Sequence, residues 1–492
     1  MLAKLSTAAL ALGALLGHVG ASPTPPESEG RSLRATNATA FALTYGYPLI
    51  QYASTVSSVL AFTGSNAIQH NRDLATPDDV SLVRPSVDTL YSRVVVDLSH
   101  NDVSITIPKV DDDRYYVVAF HDLWSNNFAN LGSLNKAAPG KYLLRIADKP
   151  WEIGFWPVDE EEPSNYIGYI GFPTIYGLVA PRILVRDGAA DLAAVRKLQD
   201  KIKVDVVPRP GPRLGPRLTS QLLGDGALEP LAPQSPASLD RDAAETLLEI
   251  VAKVDPFNRP ANPADGSAVT KILGEAGLAN DEYDPPRGVD FALANRLVDD
   301  ALSETDRLLQ PFNNGWFDFP PQYSGDFGNN YAVRARVAFH GYGQLVQSEA
   351  IYPEWKDGTL RGLYLEENEA YLVTFASGKP PVRGFWSLTA YDDASRLIAN
   401  PQKRYALGDR SPLAYSNGEL VYGKTNRTDA FSILVQPGDV APPSNWTSNW
   451  LPAPAGGGDF SLTLRLFGPT RAATHGGEYV YPVVTKQRAI VG

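Results

Sequence analysis

In the stretch RYYVVAFHDLW, Arg114 to Trp124, an apolar run ends on two ionisable groups, His121 and Asp122. Successive side chains of a strand point to opposite faces, so Tyr115, Val117 and Ala119 stand against Tyr116, Val118 and Phe120. Both faces are apolar, which predicts a central strand, and an unpaired charge at its end is costly. Two accounts fit. Either His121 or Asp122 is a general acid or base with a shifted pKa, or the pair leaves the sheet through a turn signalled by Ser125, Asn126 and Asn127.

Two further stretches raise the same question. In RPSVDTLYSRVVVDL, Arg84, Asp88, Thr89 and Tyr91 lead into an apolar strand; an Asp in that setting bonds its own backbone in an Asx-turn, or the segment forms a pocket rim. In GFWSLTAYDD, Trp386, Leu388 and Ala390 share one face while Ser387, Thr389 and Tyr391 share the other. The first face is core. The hydroxyl face either pairs with a neighbouring strand or lines a cavity, with Ser387 and Tyr391 as hydrogen-bond donors. On a helical pattern, Arg336 and His340 are four apart and share a face. Arg334 and Glu349 lie in or beside an element that reads as buried, which calls for internal ion pairs.

Standard catalytic signatures do not supply an answer. There is no G-x-S-x-G elbow, no H-E-x-x-H, no Walker loop and no complete dinucleotide fingerprint; Gly341-Tyr-Gly343 lacks the third glycine. The histidines beyond the leader are His70, His100, His121, His340 and His475, and none pair at metal-ligand spacing. No metal and no cofactor are expected. The chain has 0 Cys, which excludes thiol nucleophiles and cysteine metal sites.

The elements that must carry these residues fall into three zones. Short strand patterns run over Tyr91–Leu98, Arg114–Trp124, Lys141–Ala147, Asn165–Phe172 and Arg182–Asp187, separated by Pro, Gly, Asn and Asp. Past a Pro-rich loop, Leu239, Ala243, Leu247 and Val254 recur at helical spacing, as do Phe291, Leu297, Ala301 and Leu308. A third helix, predicted from about Tyr331 to Glu349, is apolar on two faces and therefore buried. Strands return at Ala370–Phe375, Gly384–Tyr391, Phe431–Gln436 and Ser461–Phe467.

A chain of 492 residues exceeds one ordinary core. Its 40 Pro and 41 Gly favour short strands joined by turns. The expectation is an α+β, mainly β fold: two β-sandwich-like domains with a helical middle segment. The net charge of −11 lacks the electrostatic footprint of a nucleic-acid-binding protein, and the basic Pro208–Arg217 strip reads as a solvated loop. Residues 1–21 have the layout of a secretory signal peptide, and no later stretch is long enough to span a membrane. Residues 22–40 read as a disordered arm. The expected domains are 41–200, a helical connection over 201–330, and 331–485. Sequons at Asn37, Asn426 and Asn445 fit a secreted glycoprotein.

The segments "RPSVDTLYS" and "HDLWSNNFANLGS" resemble the domain of unknown function 1254. "YAVRARVAFHGYGQLVQSEAIYPEW", "GFWSLTAYDDASRLIANPQKRYALGDRS" and "NWTSNWLPAPAGGGDFSLTLRLFGP" resemble the domain of unknown function 1214, usually found in the same chain. The resemblance is to an exported, fungal-type member and implies two sandwich-like domains, often in homo-oligomers, with no catalytic set to carry over. Asp88, Tyr91, Asp122, Asn127, Arg334, Trp386, Ser387 and Tyr391 match family pattern positions. The chain departs from the family's Pro-Asn-Asn-Asp-Thr with Pro85-Ser86-Val87-Asp88-Thr89, so a ligand contacting those amides would differ here.

The expected function is binding of a small apolar or aromatic metabolite, with lyase, isomerase or cyclase chemistry in natural-product metabolism. Asp122, His121 and Tyr391 are the expected catalytic groups, and Asp88, Tyr91, Trp124, Asn127, Ser387, Trp386 and Arg334 the binding groups. The alternative is a non-catalytic oligomeric surface or matrix protein, and a hydrolase with an unrecognised site ranks third. The compartment expected is extracellular.

Overall fold

Period-two alternation builds both β domains, and what it leaves on their outer faces creates the site. The computed structural model describes residues 27–79, 83–158, 164–260, 263–423 and 427–492. Helices α1 (Glu27–Gly46) and α2 (Pro48–Phe62) precede strands β1 (Ile68–His70), β2 (Thr89–Asp97), β3 (Asn101–Ile107), β4 (Tyr116–Asp122) and β5 (Asn127–Gly132). β6 (Gly140–Ile146), β7 (Gly154–Pro157), β8 (Gly168–Phe172), β9 (Tyr176–Leu184), α3 (Gly188–Gln199) and β10 (Lys203–Pro208) complete the first domain. The order β1-β2-β9-β4-β5 forms one sheet and β10-β3-β6-β8-β7 the other. Val94, Val96, Val118, Phe120, Val179 and Ile183 from the first sheet meet Val103, Ile105, Leu144 and Ile170 from the second in a closed core.

The middle of the chain is helical: α4 (Arg241–Val254), α5 (Pro263–Glu275), a small hairpin of β11 (Leu278–Ala279) and β12 (Glu282–Tyr283), and α6 (Phe291–Glu304). Asp240 caps α4 by accepting from the Ala243 amide at 2.9 Å, and Asp290 caps α6 through Leu293 in the same way. These helices share one core with α1 and α2, centred on Phe41, Leu43, Tyr45, Leu247 and Val251. The sequence boundaries at 41 and 200 therefore cut across a core that draws helices from both sides of the first β domain.

Two sequence expectations are corrected. The arm assigned to 22–40 is helical from Glu27 onward, because Ala38 and Ala40 lie in the core shared with the middle helices; tertiary burial, absent from a local reading, orders it. The third helix, α7 (Tyr331–Gly341), stops eight residues earlier than the pattern suggests. Tyr342 leaves the helical region and Gly343 takes a φ of 78°, so the apolar positions Leu345 and Val346 are loop, the first buried and the second half-buried. Leu345 packs between the two β domains with Tyr115, Phe385 and Phe467.

The second β domain follows a short lead-in of β13 (Gln310–Pro311) and β14 (Trp316–Asp318). It contains β15 (Ala350–Ile351), β16 (Glu354–Trp355), β17 (Leu363–Glu366), β18 (Glu369–Phe375), β19 (Trp386–Asp392), β20 (Ala406–Gly408), β21 (Phe431–Pro437), β22 (Trp450–Ala453), β23 (Gly457–Phe467) and β24 (Val483–Arg488). One sheet runs β13-β14-β16-β23-β19-β20, with β15 and β17 also on β23; the other runs β22-β21-β18-β24. Leu388, Leu462 and Leu464 meet Val373, Phe375 and Ile433 between them. The fold is α+β, mainly β, with two sandwich-like domains. No helix among the described residues is long and apolar enough to cross a membrane.

The expected signal peptide at 1–21 and the sequon at Asn426 lie outside the described residues. Asn37 sits half-buried on α1, and Asn445 is exposed.

Candidate functional site

Each sandwich leaves one outer sheet face against the other domain. On the first domain, Tyr91 stands opposite Arg182, and His121 opposite Leu178. The odd-numbered side chains of β4 point this way, so His121 follows Val117 and Ala119 out of the core. On the second domain, Ser387 stands opposite Arg465 and Thr389 opposite Thr463. The two faces, closed by Val83–Ser86, Phe317–Phe319 and the end of α7 at His340–Gln344, enclose a cavity of about 260 Å³.

The hydroxyl face of β19 looks into this seam, and its groups are used to hold it shut. Ser387 Oγ donates to Asp88 Oδ2 at 2.7 Å, and Asp88 is also ion-paired to Arg410. Tyr391 Oη donates to the Pro85 carbonyl at 2.8 Å. Thr389 Oγ1 accepts from Arg465 Nη1 at 3.0 Å, and Arg465 Nη2 reaches the Arg84 carbonyl at 2.8 Å. Arg84 adopts a φ of 47°, a strained conformation for a non-glycine residue. It is held by an ion pair to Glu354 and by its own amide bonding the Ser395 carbonyl at 2.9 Å. Ser387 and Tyr391 thus stand behind the cavity wall, as positioning residues for Arg84 and Asp88.

The cavity lining itself is apolar in part, with Leu178, Ala180, Phe317, Val337 and Phe467, and cationic in part, with Arg84, Arg93, Arg182, Arg336, Lys356 and Arg465. Its carboxyl groups are Asp318 and Glu354. Burial raises Asp318 from 3.8 to about 6, although the Tyr352 and Phe319 amides stabilise its charged form. Burial, then neighbouring arginines, lowers Lys356 to about 8. Burial and the nearby Arg182 charge hold His121 down at about 3, so its ring is neutral at physiological pH. The chemistry on offer is proton exchange by Asp318 or Lys356 and neutral hydrogen bonding by His121.

Asp122 points the other way, into a wider cleft of about 800 Å³ that also takes Trp124, Asn127, Arg334 and Glu349. Adjacent strand residues cannot serve one site here, which separates the expected His121–Asp122 pair. Asp122 accepts from the Trp124 and Asn126 amides at 3.0 and 2.8 Å and from Asn126 Nδ2 at 2.7 Å, the turn account of its sequence. Asn127 ties β5 to the second domain's approach by accepting from the Val346 amide at 3.0 Å. Arg334 sits over the Tyr331, Tyr45 and Trp124 rings at 4.8, 4.9 and 5.5 Å, where an internal ion pair was expected; the ring faces supply the compensation. Glu349 accepts from Tyr115 Oη at 2.7 Å. Trp386 is corrected from binding group to core: it packs on Phe375 and donates to Tyr422 Oη at 2.5 Å.

Of the expected residues, His121 and Tyr91 therefore line this cavity. Arg182, Asp318, Thr463 and Arg465 were missed. Their signal was available: SLTLRLF places a polar residue at every second position, LVAPRIL sets an arginine in an apolar strand, and WFDFP sets an aspartate among aromatics. What no local reading supplies is that the polar side of such a strand faces another domain.

These sandwiches with a shared interdomain chamber define a two-domain β-rich class, and the sequence comparisons assign it. Residues 65–206 match the family described as protein of unknown function (DUF1254), and residues 349–471 match the one described as protein of unknown function (DUF1214). The chain carries an N-terminal DUF1254 domain followed by a C-terminal DUF1214 domain. Among solved structures, the VPA0106 protein from Vibrio parahaemolyticus is similar at a TM-score of 0.57 and 18% identity, over 92% of this chain and 100% of that one. An uncharacterised protein from Burkholderia cenocepacia aligns at a TM-score of 0.41 and 10% identity, over 98% of this chain and 95% of that one. No curated protein matches the chain.

Proposed function

We propose that the chain is an exported glycoprotein whose interdomain cavity binds a small molecule with a substantial apolar part, and that the cavity supports proton transfer of the lyase, isomerase or cyclase kind. The observation that carries this reading is the cavity itself. It lies between two folded domains, measures about 260 Å³, near the lower end of ligand pockets, and mixes an apolar lining with a few convergent polar groups. Asp318, with its carboxyl near neutrality, is suited to remove a proton from carbon and return it elsewhere, which balances an isomerisation without any co-reactant. The roles expected for Asp122 and Tyr391 pass to Asp318 and to the neutral His121.

The test is native mass spectrometry of protein purified from its own secreting host, then denaturation and identification of what is released. A stoichiometric organic molecule supports the reading. An empty protein that also fails to take up any member of a metabolite extract would remove it.

One observation favours the non-catalytic, self-associating alternative. Trp151, Phe155 and Trp156 are exposed beside the edge strand β7, and an apolar edge is a ready interface for a second copy.

A further inference from the structure

Three guanidiniums face this cavity without an ion pair among the described residues, Arg93, Arg182 and Arg465, and the last two stand on facing walls. Arg182 and Arg465 are 8% and 4% exposed, and their hydrogen bonds go to neutral groups: Arg182 to the Gly343 carbonyl at 2.7 Å, Arg465 to Thr389 and the Arg84 carbonyl. Arg93 is engaged by the Thr55 carbonyl at 2.8 Å and by Asn71 Oδ1 at 3.3 Å, and the remaining basic groups have carboxylates. Arg84 and Lys356 share Glu354, and Arg336 has Asp306 at 2.6 Å. The Tyr91 ring lies 5.1 Å from Arg182 and the Tyr391 ring 5.2 Å from Arg465. Ring faces and carbonyls offset part of the cost of a buried cation, but they carry no net charge. Two such cations on facing walls of one cavity also repel each other.

Buried polar atoms without a hydrogen-bond partner gather on the same walls: Arg182 Nε, Tyr352 Oη, Thr463 Oγ1, Tyr342 Oη and both nitrogens of His121. Orphaned groups of this kind are rare in folded proteins, and each calls for an explanation. A single anionic acceptor would answer the donors and the charge together. A planar guanidinium suits carboxylate and phosphate oxygens, which it binds through two parallel bonds.

We infer that the ligand of this cavity is an organic acid, its oxyanion held between Arg182 and Arg465 with help from Tyr352 and Thr463, and its apolar body lying against Leu178 and Phe467. The inference rests on the cavity being the ligand site and adds the ligand's charge. It also adds a charge to the small apolar or aromatic metabolite expected from the sequence, since a neutral molecule would leave both cations without an anion.

The experiment uses the full mature chain and two probes that differ in charge but little in shape, 4-bromobenzoate and 4-bromobenzamide. Affinities come from calorimetric titration, and the bromine is located by anomalous scattering in soaked crystals. Benzoate density in the cavity, with affinity at least about tenfold above the amide's, is the expected result. R465Q should then lose about tenfold in benzoate affinity and little in amide affinity; if R465Q does not fold, R182K, which keeps the charge and loses the fork, should show a loss of the same order. Equal binding of both probes in the cavity overturns the charge assignment and leaves the cavity reading standing. Bromine in neither soak overturns both. Phenyl phosphate, titrated alongside, distinguishes a phosphate from a carboxylate ligand within the same anionic class.

Discussion

Ser387 Oγ reaches Asp88 Oδ2 across 299 residues of sequence, at 2.7 Å, and so joins the outer strand face of one β domain to the entry loop of the other. Asp88 is buried, and its second oxygen is ion-paired to Arg410. This relationship explains why a strand with a hydroxyl face has no solvent-exposed side. The face is the lock between the domains, and the cavity lies next to it.

Asp88→Ala should therefore destabilise the protein by about 2 kcal/mol, because it takes the acceptor from Ser387 Oγ and leaves the largely buried Arg410 guanidinium with Asp409 as its remaining carboxylate. Ser387→Ala should cost about 1 kcal/mol, the worth of one hydrogen bond. Urea unfolding of the two variants checks the ranking; a smaller loss in D88A than in S387A would contradict the seam as described.

Tyr391→Phe keeps the ring that lies under Arg465 and removes the hydroxyl bonded to Pro85. A stability loss of about 1 kcal/mol is expected, with ligand affinity nearly unchanged, since the hydroxyl bonds Pro85 behind the cavity wall. A tenfold loss of affinity without loss of stability would return Tyr391 to the binding surface.

Glu349 sets a pH dependence whose sign can be worked out. Burial raises its carboxyl from 4.5 to about 7 in the folded protein, so between those values the native state holds a proton that the unfolded chain has released. Stability is then greatest at low pH within this window and falls as pH rises through it. Glu349→Gln keeps an acceptor for Tyr115 and cannot ionise. It should match the parent below pH 4.5 and exceed it above pH 7, the two ends of the shift, by on the order of 3 kcal/mol. Denaturation curves across that range measure the difference; parallel curves for the two proteins would refute it.

Ala40→Asp tests the correction at the N-terminus. Ala40 is 0% exposed and lies in the core shared with the middle helices, so an unpaired carboxylate there should cost about 3 kcal/mol or more. Thermal unfolding indistinguishable from the parent would favour a loose arm.

Trp156→Lys tests the exposed edge. Replacing an apolar edge residue with a charge is expected to abolish strand-to-strand association. Sedimentation velocity of parent and variant at equal concentration reads this directly, and a monomeric parent would dismiss the interface.

What the sequence by itself determined was local and periodic. The apolar run of RYYVVAFHDLW and the two unlike faces of GFWSLTAYDD identified strands, helical spacing from Leu239 and Phe291 identified two middle helices, and the motif segments identified both domains. Helix ends were less legible: Tyr342 and Gly343 end α7 through backbone conformation, while the apolar positions beyond continue the pattern because the seam buries them. Only the tertiary structure decided the site. Arg182 and Arg465 lie on different domains, and their position on facing cavity walls depends on how the two sandwiches dock. Pairing period tells which side of a strand is polar; the partner brought to that side is a long-range contact that no local pattern encodes.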